Sequence, residues 1–168
     1  MRAVFFDRDG TLGMLGDDRY PYTFEPFDNM MDIISDLHKA GLLCMVYTNQ
    51  SCIARGLDNE HDFDTEFKTA GFDDWFICPH DRDDNCFCRK PKAGLLTQAA
   101  QKHGLDLSEC FAVGDRLTDI EAGNTAGCKT ILVRTGRGKN EEFAAGNIKI
   151  DFIADNLDDV KNRILQHI

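Results

Sequence analysis

The run Ala3-Val4-Phe5-Phe6-Asp7-Arg8-Asp9-Gly10-Thr11-Leu12 changes character abruptly at Asp7. Four apolar residues, three of them β-branched or aromatic, predict a short buried strand, and a charged turn containing Gly10 stops it. The same transition recurs along the chain. Leu42 to Tyr47 runs into Thr48-Asn49-Gln50, Trp75 to Cys78 enters a cysteine-rich loop, and Phe111-Ala112-Val113 leads to Gly114-Asp115. Thr130 to Val133 and a last short strand near Phe152 complete the set.

Amphipathic stretches separate these runs. Within Asn29 to Ala40, Met30, Ile33, Ile34 and Leu37 fall at i, i+3, i+4 and i+7, which predicts a helix terminated by Gly41. Lys92 to His103 predicts a second, with Leu96, Ala99, Ala100 and His103 on one side and Gly104 at its end. A third spans about Thr118 to Ala126, and Leu157, Val160, Ile164 and Ile168 line a closing helix capped by Asn156. Thr135 to Asn147, rich in glycine and charge, reads as a loop. Short strands alternating with helices predict the α/β class: a doubly wound, Rossmann-like parallel sheet in one domain over residues 1–168, with no repeat or linker.

Charge narrows the function. With 29 acidic against 19 basic residues the formal net charge is -10, the wrong sign for holding a phosphate backbone, so no nucleic-acid partner is expected. No apolar run approaches the roughly 20 residues that span a bilayer, and Arg2, Asp7, Arg8 and Asp9 occupy the region a signal peptide would keep apolar. The expectation is a cytoplasmic monomer that acts on a small molecule and has no membrane partner. Seven cysteines, an odd number without an export signal, argue against a disulfide framework. Cys44, Cys110 and Cys128 lie in apolar surroundings and read as small core residues.

In a doubly wound sheet, ligands bind beyond the carboxyl ends of the strands. The residues there are Asp7 and Asp9, Thr48 and Asn49, and Asp115, with Lys90 entering from the cysteine loop. Converging carboxylates repel one another unless a cation neutralises them, and hard oxygen donors suit Mg²⁺. The hydroxyl, amide and ammonium are donors for an anion. A site that holds both Mg²⁺ and an anion suits phosphoryl transfer. Asp7, fixed by the strand end, is the candidate nucleophile; Asp9, two residues on, is the candidate general acid and base.

The second constellation is Cys78-x-His80-x5-Cys86-x-Cys88, three thiolates and an imidazole within eleven residues. Four such ligands close a tetrahedral Zn²⁺ site with no place left for water, which makes the expected zinc structural. Arg89-Lys90-Pro91 follows the last thiol directly, so this loop, residues 78–88, would set the backbone that presents Arg89 and Lys90.

Together these residues resemble the haloacid dehalogenase superfamily of phosphatases over about residues 2 to 138. Asp7-Arg8-Asp9-Gly10-Thr11-Leu12 is similar to its first motif, Thr48-Asn49-Gln50 to the second, Lys90 to the third, and Gly114-Asp115-Arg116-Leu117-Thr118-Asp119 to the fourth. The resemblance implies Asp7 as nucleophile, Asp9 as general acid and base, and Thr48 and Lys90 as phosphate holders. It also implies Mg²⁺ on the Asp7 carboxylate, the Asp9 backbone carbonyl and Asp115, with Asp119 outside that set or paired with Lys90. Asn49, Gln50, Ser51, Arg89 and Arg116 are the candidate substrate contacts.

The zinc loop looks like that of the branch holding the heptose bisphosphate phosphatases and the histidinol-phosphate phosphatases. Thr48-Asn49-Gln50-Ser51-x-Ile53-Ala54-Arg55-Gly56 and Leu132-Val133-Arg134-Thr135-Gly136 are similar to the heptose group, whereas the histidinol group usually reads Asp-Gly where this chain has Ser51-Cys52. This chain departs from the branch in three places. Cys52 stands at a usual glycine, where a left-handed backbone would cost it roughly 1 kcal/mol. The stretch from Gly56 to Phe76 is shorter, and Gly13 replaces a polar residue. No insertion is long enough for a cap domain, so a capless site is expected. A sugar-phosphate phosphatase is the leading reading and a histidinol-phosphate phosphatase the alternative. A zinc-stapled binding protein without activity is the reading from another class.

Overall fold

The computed structural model describes residues 1–14, 16–17 and 19–168. Six strands form one parallel sheet: β1 (Ala3–Phe6), β2 (Leu43–Asn49), β3 (Asp74–Cys78), β4 (Phe111–Gly114), β5 (Lys129–Val133) and β6 (Phe152–Ala154). Their order across the sheet is β3-β2-β1-β4-β5-β6, as a doubly wound sheet requires. Val4 pairs with Cys44 on one side and Phe111 on the other, so β1 is central and all four of its residues are buried. Buried on both faces, such a strand needs the continuous apolar run read in Ala3 to Phe6.

Alternation sends neighbouring side chains of β1 into different layers. Val4 and Phe6 join a core with Ile33, Ile34 and Leu37 of α1 (Met30–Lys39) and Val160 and Ile164 of α6 (Leu157–Leu165). Ala3 and Phe5 join the opposite core with Leu95, Leu96 and Ala99 of α3 (Gly94–His103) and Ala122 of α4 (Leu117–Ala126). Truncating a wholly buried residue such as Leu37 to Ala costs roughly 2–5 kcal/mol. Cys44, Cys110 and Cys128 are buried in these cores as expected. No described helix is long and apolar enough to cross a membrane.

Several sequence expectations need correction. A short helix, α2 (Phe63–Thr69), lies in a segment without a helix reading. Its seven residues are too few to display a period, and its start is held by the Asp62 side chain accepting from the Thr65 N–H at 2.9 Å. Thr135 to Asn147 is not all loop, because α5 (Gly138–Ala144) forms within it. β2 continues through Thr48 and Asn49, since both still pair with β3. α3 starts at Gly94 instead of Lys92, whose ammonium turns back to donate to the Cys86 carbonyl. Ile168 lies beyond α6 and is exposed, so it does not line that helix.

Candidate active site

The strand order reverses beside β1, and the crevice beyond the ends of β1 and β4 collects the expected carboxylates. Asp7 continues β1, its N–H donating to the Val113 carbonyl at 2.9 Å, and Asp115 follows β4. Asp7, Asp115 and Asp119 are buried, and one carboxylate oxygen from each lies within 4.8 Å of the others. Lys90 threads between them. Its ammonium lies 2.8 Å from Asp7 Oδ1 and 2.6 Å from Asp119 Oδ1, donates to the Tyr47 carbonyl at 3.0 Å, and sits 4.3 Å from the centre of the Tyr47 ring.

One ammonium does not balance three carboxylates. Burial, and then the charges of Asp7 and Asp119, push the Asp115 carboxyl up to about 8. Burial raises Asp119 to about 6 even with Lys90 beside it. Asp115 Oδ2 accepts from the Arg137 N–H at 2.8 Å, but Oδ1 is buried with no hydrogen-bond partner. An orphaned carboxylate oxygen among hard anionic donors fits a divalent cation such as Mg²⁺. The approach is close: a Cβ on Gly10, whose φ is 82°, or on Gly136 would overlap the Asp115 carboxylate.

Asp9 stands at the same mouth, with 25% of its side chain exposed. Burial raises its carboxyl above the ordinary range, opposed by the Arg8 charge and a hydrogen bond from Gln50. Gln50 Nε2 donates to Asp9 Oδ2 at 2.8 Å and to Thr48 Oγ1 at 3.0 Å. Gln50, a candidate substrate contact, is 3% exposed, and its amide group donates to both Asp9 and Thr48. Cys52 donates its thiol to Gln50 Oε1 at 3.6 Å. The feared strain there is absent, because the described non-glycine residues with positive φ are Asn59, Glu60 and Asn85.

Around these groups lies a cleft of about 110 Å³ lined by Asp7, Asp9, Asn49, Ser51, Lys90 and Asp119 together with four arginines, Arg55, Arg82, Arg89 and Arg116. Asn49 bridges strand and loop: its Oδ1 accepts from the Lys90 N–H at 3.1 Å and its Nδ2 donates to the Lys90 carbonyl at 3.3 Å. Arg89 donates to the His80 carbonyl at 3.0 Å, and Arg55 grips Asp81 through two bonds of 2.7 Å. Arg82 and Thr118 also line the cleft and are not among the candidate substrate contacts named from the sequence. Thr118 directly precedes Asp119 in the fourth motif, which was its one signal. Arg82 lies in the acidic run Asp81 to Asp84 and carried none.

Behind Arg89, the expected quartet comes together. Cys78 Sγ lies 3.6 Å from both Cys86 Sγ and His80 Nδ1, and Cys88 Sγ lies 3.3 Å from His80 Nδ1. A tetrahedron of ligands about 2.0–2.3 Å from a zinc ion has edges of roughly 3.3–3.8 Å, so these three separations fit such a site, and all four donors lie within 4.8 Å of one another. Burial opposes ionisation of Cys86, but hydrogen bonds led by the Arg89 N–H bring its thiol down to about 7. Burial, followed by the neighbouring Cys78 and Cys86, pushes Cys88 up to about 12. Three thiols in this arrangement ionise together only beside a cation.

A family model described as HAD-hydrolase-like matches residues 87–160. The D-glycero-beta-D-manno-heptose-1,7-bisphosphate 7-phosphatase of Haemophilus ducreyi is 36% identical, covering 95% of this chain and 96% of that protein. The protein of the same name from Pseudomonas aeruginosa is 39% identical over 80% of this chain and 82% of its own. Among solved structures, the D,D-heptose 1,7-bisphosphate phosphatase of B. bronchiseptica, complexed with magnesium and phosphate, superposes with a TM-score of 0.89 at 31% identity and covers both chains fully. Likeness of this extent, on a fold whose strand ends converge as described, establishes that the chain belongs to the D-glycero-beta-D-manno-heptose-1,7-bisphosphate 7-phosphatase family of haloacid dehalogenase-like phosphatases.

Proposed function

We propose that this protein is a Mg²⁺-dependent phosphatase that hydrolyses D-glycero-D-manno-heptose 1,7-bisphosphate at the 7-phosphate through an aspartyl-phosphate on Asp7. The observation that carries this reading is the buried Asp7 carboxylate, held 2.8 Å from the Lys90 ammonium beside the unpartnered oxygen of Asp115. Asp7, the Asp9 carbonyl and Asp115 would hold Mg²⁺, which when bound offsets the gathered negative charge of carboxylates and phosphoryl group. An Asp7 oxygen attacks phosphorus, the bond from phosphorus to the sugar oxygen breaks, and Asp9 supplies the proton that oxygen takes up. In the second step Asp9 takes a proton from water as the water oxygen attacks phosphorus, which frees phosphate and restores the Asp7 carboxylate. Lys90 and Thr48 hold the transferring group, and Asp119 keeps Lys90 in place.

Asn49, Ser51, Arg89 and Arg116 are the proposed contacts to the rest of the substrate, joined by Arg55 and Arg82. Four arginines around the cleft favour a second anion and disfavour the cationic amine of histidinol phosphate. Zn²⁺ on Cys78, His80, Cys86 and Cys88 supports the loop and performs no chemistry. A monomer in the cytoplasm completes the reading, with the net charge of -10 opposing self-association. Phosphate release from a panel of both heptose bisphosphate anomers, histidinol phosphate and short phosphorylated oligonucleotides tests it. Turnover of histidinol phosphate or an oligonucleotide in preference to both anomers would overturn it.

A further inference from the structure

One oxygen of the Asp9 carboxylate accepts from Arg8, the residue before it, and Arg8 in turn is bonded to Glu66, 58 positions away. Arg8 has the largest of the fully buried side chains, with an exposure of 0%. A guanidinium taken out of water is tolerable only when most of its five N–H groups find acceptors. Here Nε donates to Glu66 Oε1 at 2.7 Å, Nη2 to Glu66 Oε2 at 2.8 Å and to the Pro21 carbonyl at 2.7 Å, and Nη1 to Asp9 Oδ1 at 2.8 Å. Its carbon lies 4.1 Å from the centre of the Phe24 ring and 5.4 Å from that of Phe63. Well-packed apolar residues often replace a buried ion pair without loss of stability, so stability alone does not account for this one.

We infer that Glu66 of α2, acting through Arg8, is the positioning residue for the Asp9 carboxylate. The inference rests on the phosphatase reading above. Arg8 occupies Asp9 Oδ1 and Gln50 occupies Oδ2, one donor for each oxygen, which together set the plane of the carboxylate. Arg8 can do so only while its own plane is set, and the two-point grip of Glu66 sets it. Glu66 in turn is placed by α2, with Phe63 and Phe67 of that helix in the core and His61 Nε2 at 2.6 Å from Glu66 Oε2. A proton donor must be held to within roughly 0.5 Å and 10–20° of its productive geometry.

This role has a signature that loss of packing lacks. A sugar oxygen is a poor leaving group and needs the Asp9 proton, whereas p-nitrophenolate leaves without one. kcat/KM ends at phosphorylation of Asp7, so the later use of Asp9 as a base does not enter it. With Mg²⁺-loaded full-length protein, Glu66→Ala should lower kcat/KM for the heptose bisphosphate about 10- to 100-fold, chiefly through kcat. For p-nitrophenyl phosphate the loss should stay below about threefold. Glu66→Gln keeps an acceptor for Arg8 and should show the same selective loss at smaller size, which carries the test if the alanine variant melts early. Equal losses on the two esters, or none on either, would overturn the inference. A wild type that turns over neither ester would instead remove the phosphatase reading, and this inference with it.

Discussion

The Lys90 ammonium stands 2.6 Å from the Asp119 carboxylate, both side chains almost wholly buried, and the same ammonium lies 2.8 Å from Asp7. Asp119 thus balances a lysine whose other face is turned to the candidate nucleophile. A buried pair that loses one member leaves the other uncompensated, at a cost of roughly 3–5 kcal/mol. Lys90→Ala should therefore destabilise the protein by about that much in urea unfolding and abolish turnover. Lys90→Ala with Asp119→Ala should be less unstable than the two single losses combined. Strict additivity would show that the pair is not coupled.

Asp7→Asn should lose turnover completely, because an amide is a poor nucleophile toward phosphorus. Asp9→Asn keeps the nucleophile and loses proton transfer, so steady-state assays should find a rate lower by about 10²- to 10⁴-fold. A wild-type rate in the second variant would remove Asp9 from its role.

Asp115 gives a pH dependence whose sign follows from its folded value. Its carboxyl is raised from 3.8 to about 8, so the metal-free folded state binds more protons than the unfolded chain between those values. Stability of the metal-free protein should therefore fall as pH rises through that window. A cation that binds the ionised form offsets the loss, so the increase in Tm produced by Mg²⁺ should be larger at pH 8 than at pH 6. Equal increases at the two pH values would contradict the assignment.

Elemental analysis should find about one zinc per chain after Mg²⁺ has been stripped with a weak chelator, given the tight binding of closed thiolate sites. Cys86→Ser should lose that zinc and depress activity, since Arg89 is tied to the loop through the His80 carbonyl and Lys90 follows it. Metal-free protein with full activity would break the link between loop and cleft.

Arg89→Ala should narrow the preference for a sugar bisphosphate over histidinol phosphate while leaving aryl-phosphate turnover largely intact, because its planar fork suits a distal anion. The comparison is of kcat/KM ratios. A tenfold advantage for histidinol phosphate in the wild type, worth about 1.4 kcal/mol, would reverse the substrate assignment.

The strand runs, the polar residues just beyond them and the Cys/His quartet were legible in the chain because each is a local pattern. Four apolar residues ending at Asp7 specify a buried strand, and four ligands within eleven residues meet whatever the rest of the fold does. The helix Phe63–Thr69 was not legible, because a helix of under two turns shows no period and its formation depends on packing Phe63 and Phe67 into the core. Arg82 likewise lines the cleft from a short turn, Arg82–Asp84, whose placement no local pattern specifies. Arg8 and Glu66 are separated by 58 positions, and no spacing rule links an arginine inside a strand-end motif to a glutamate on so short a helix. Local hydrophobic pattern and ligand spacing are written along the chain. The pairing of buried charges is written in the closure of the fold, where a guanidinium removed from water must take its partners from whichever segments the sheet and its helices bring against it.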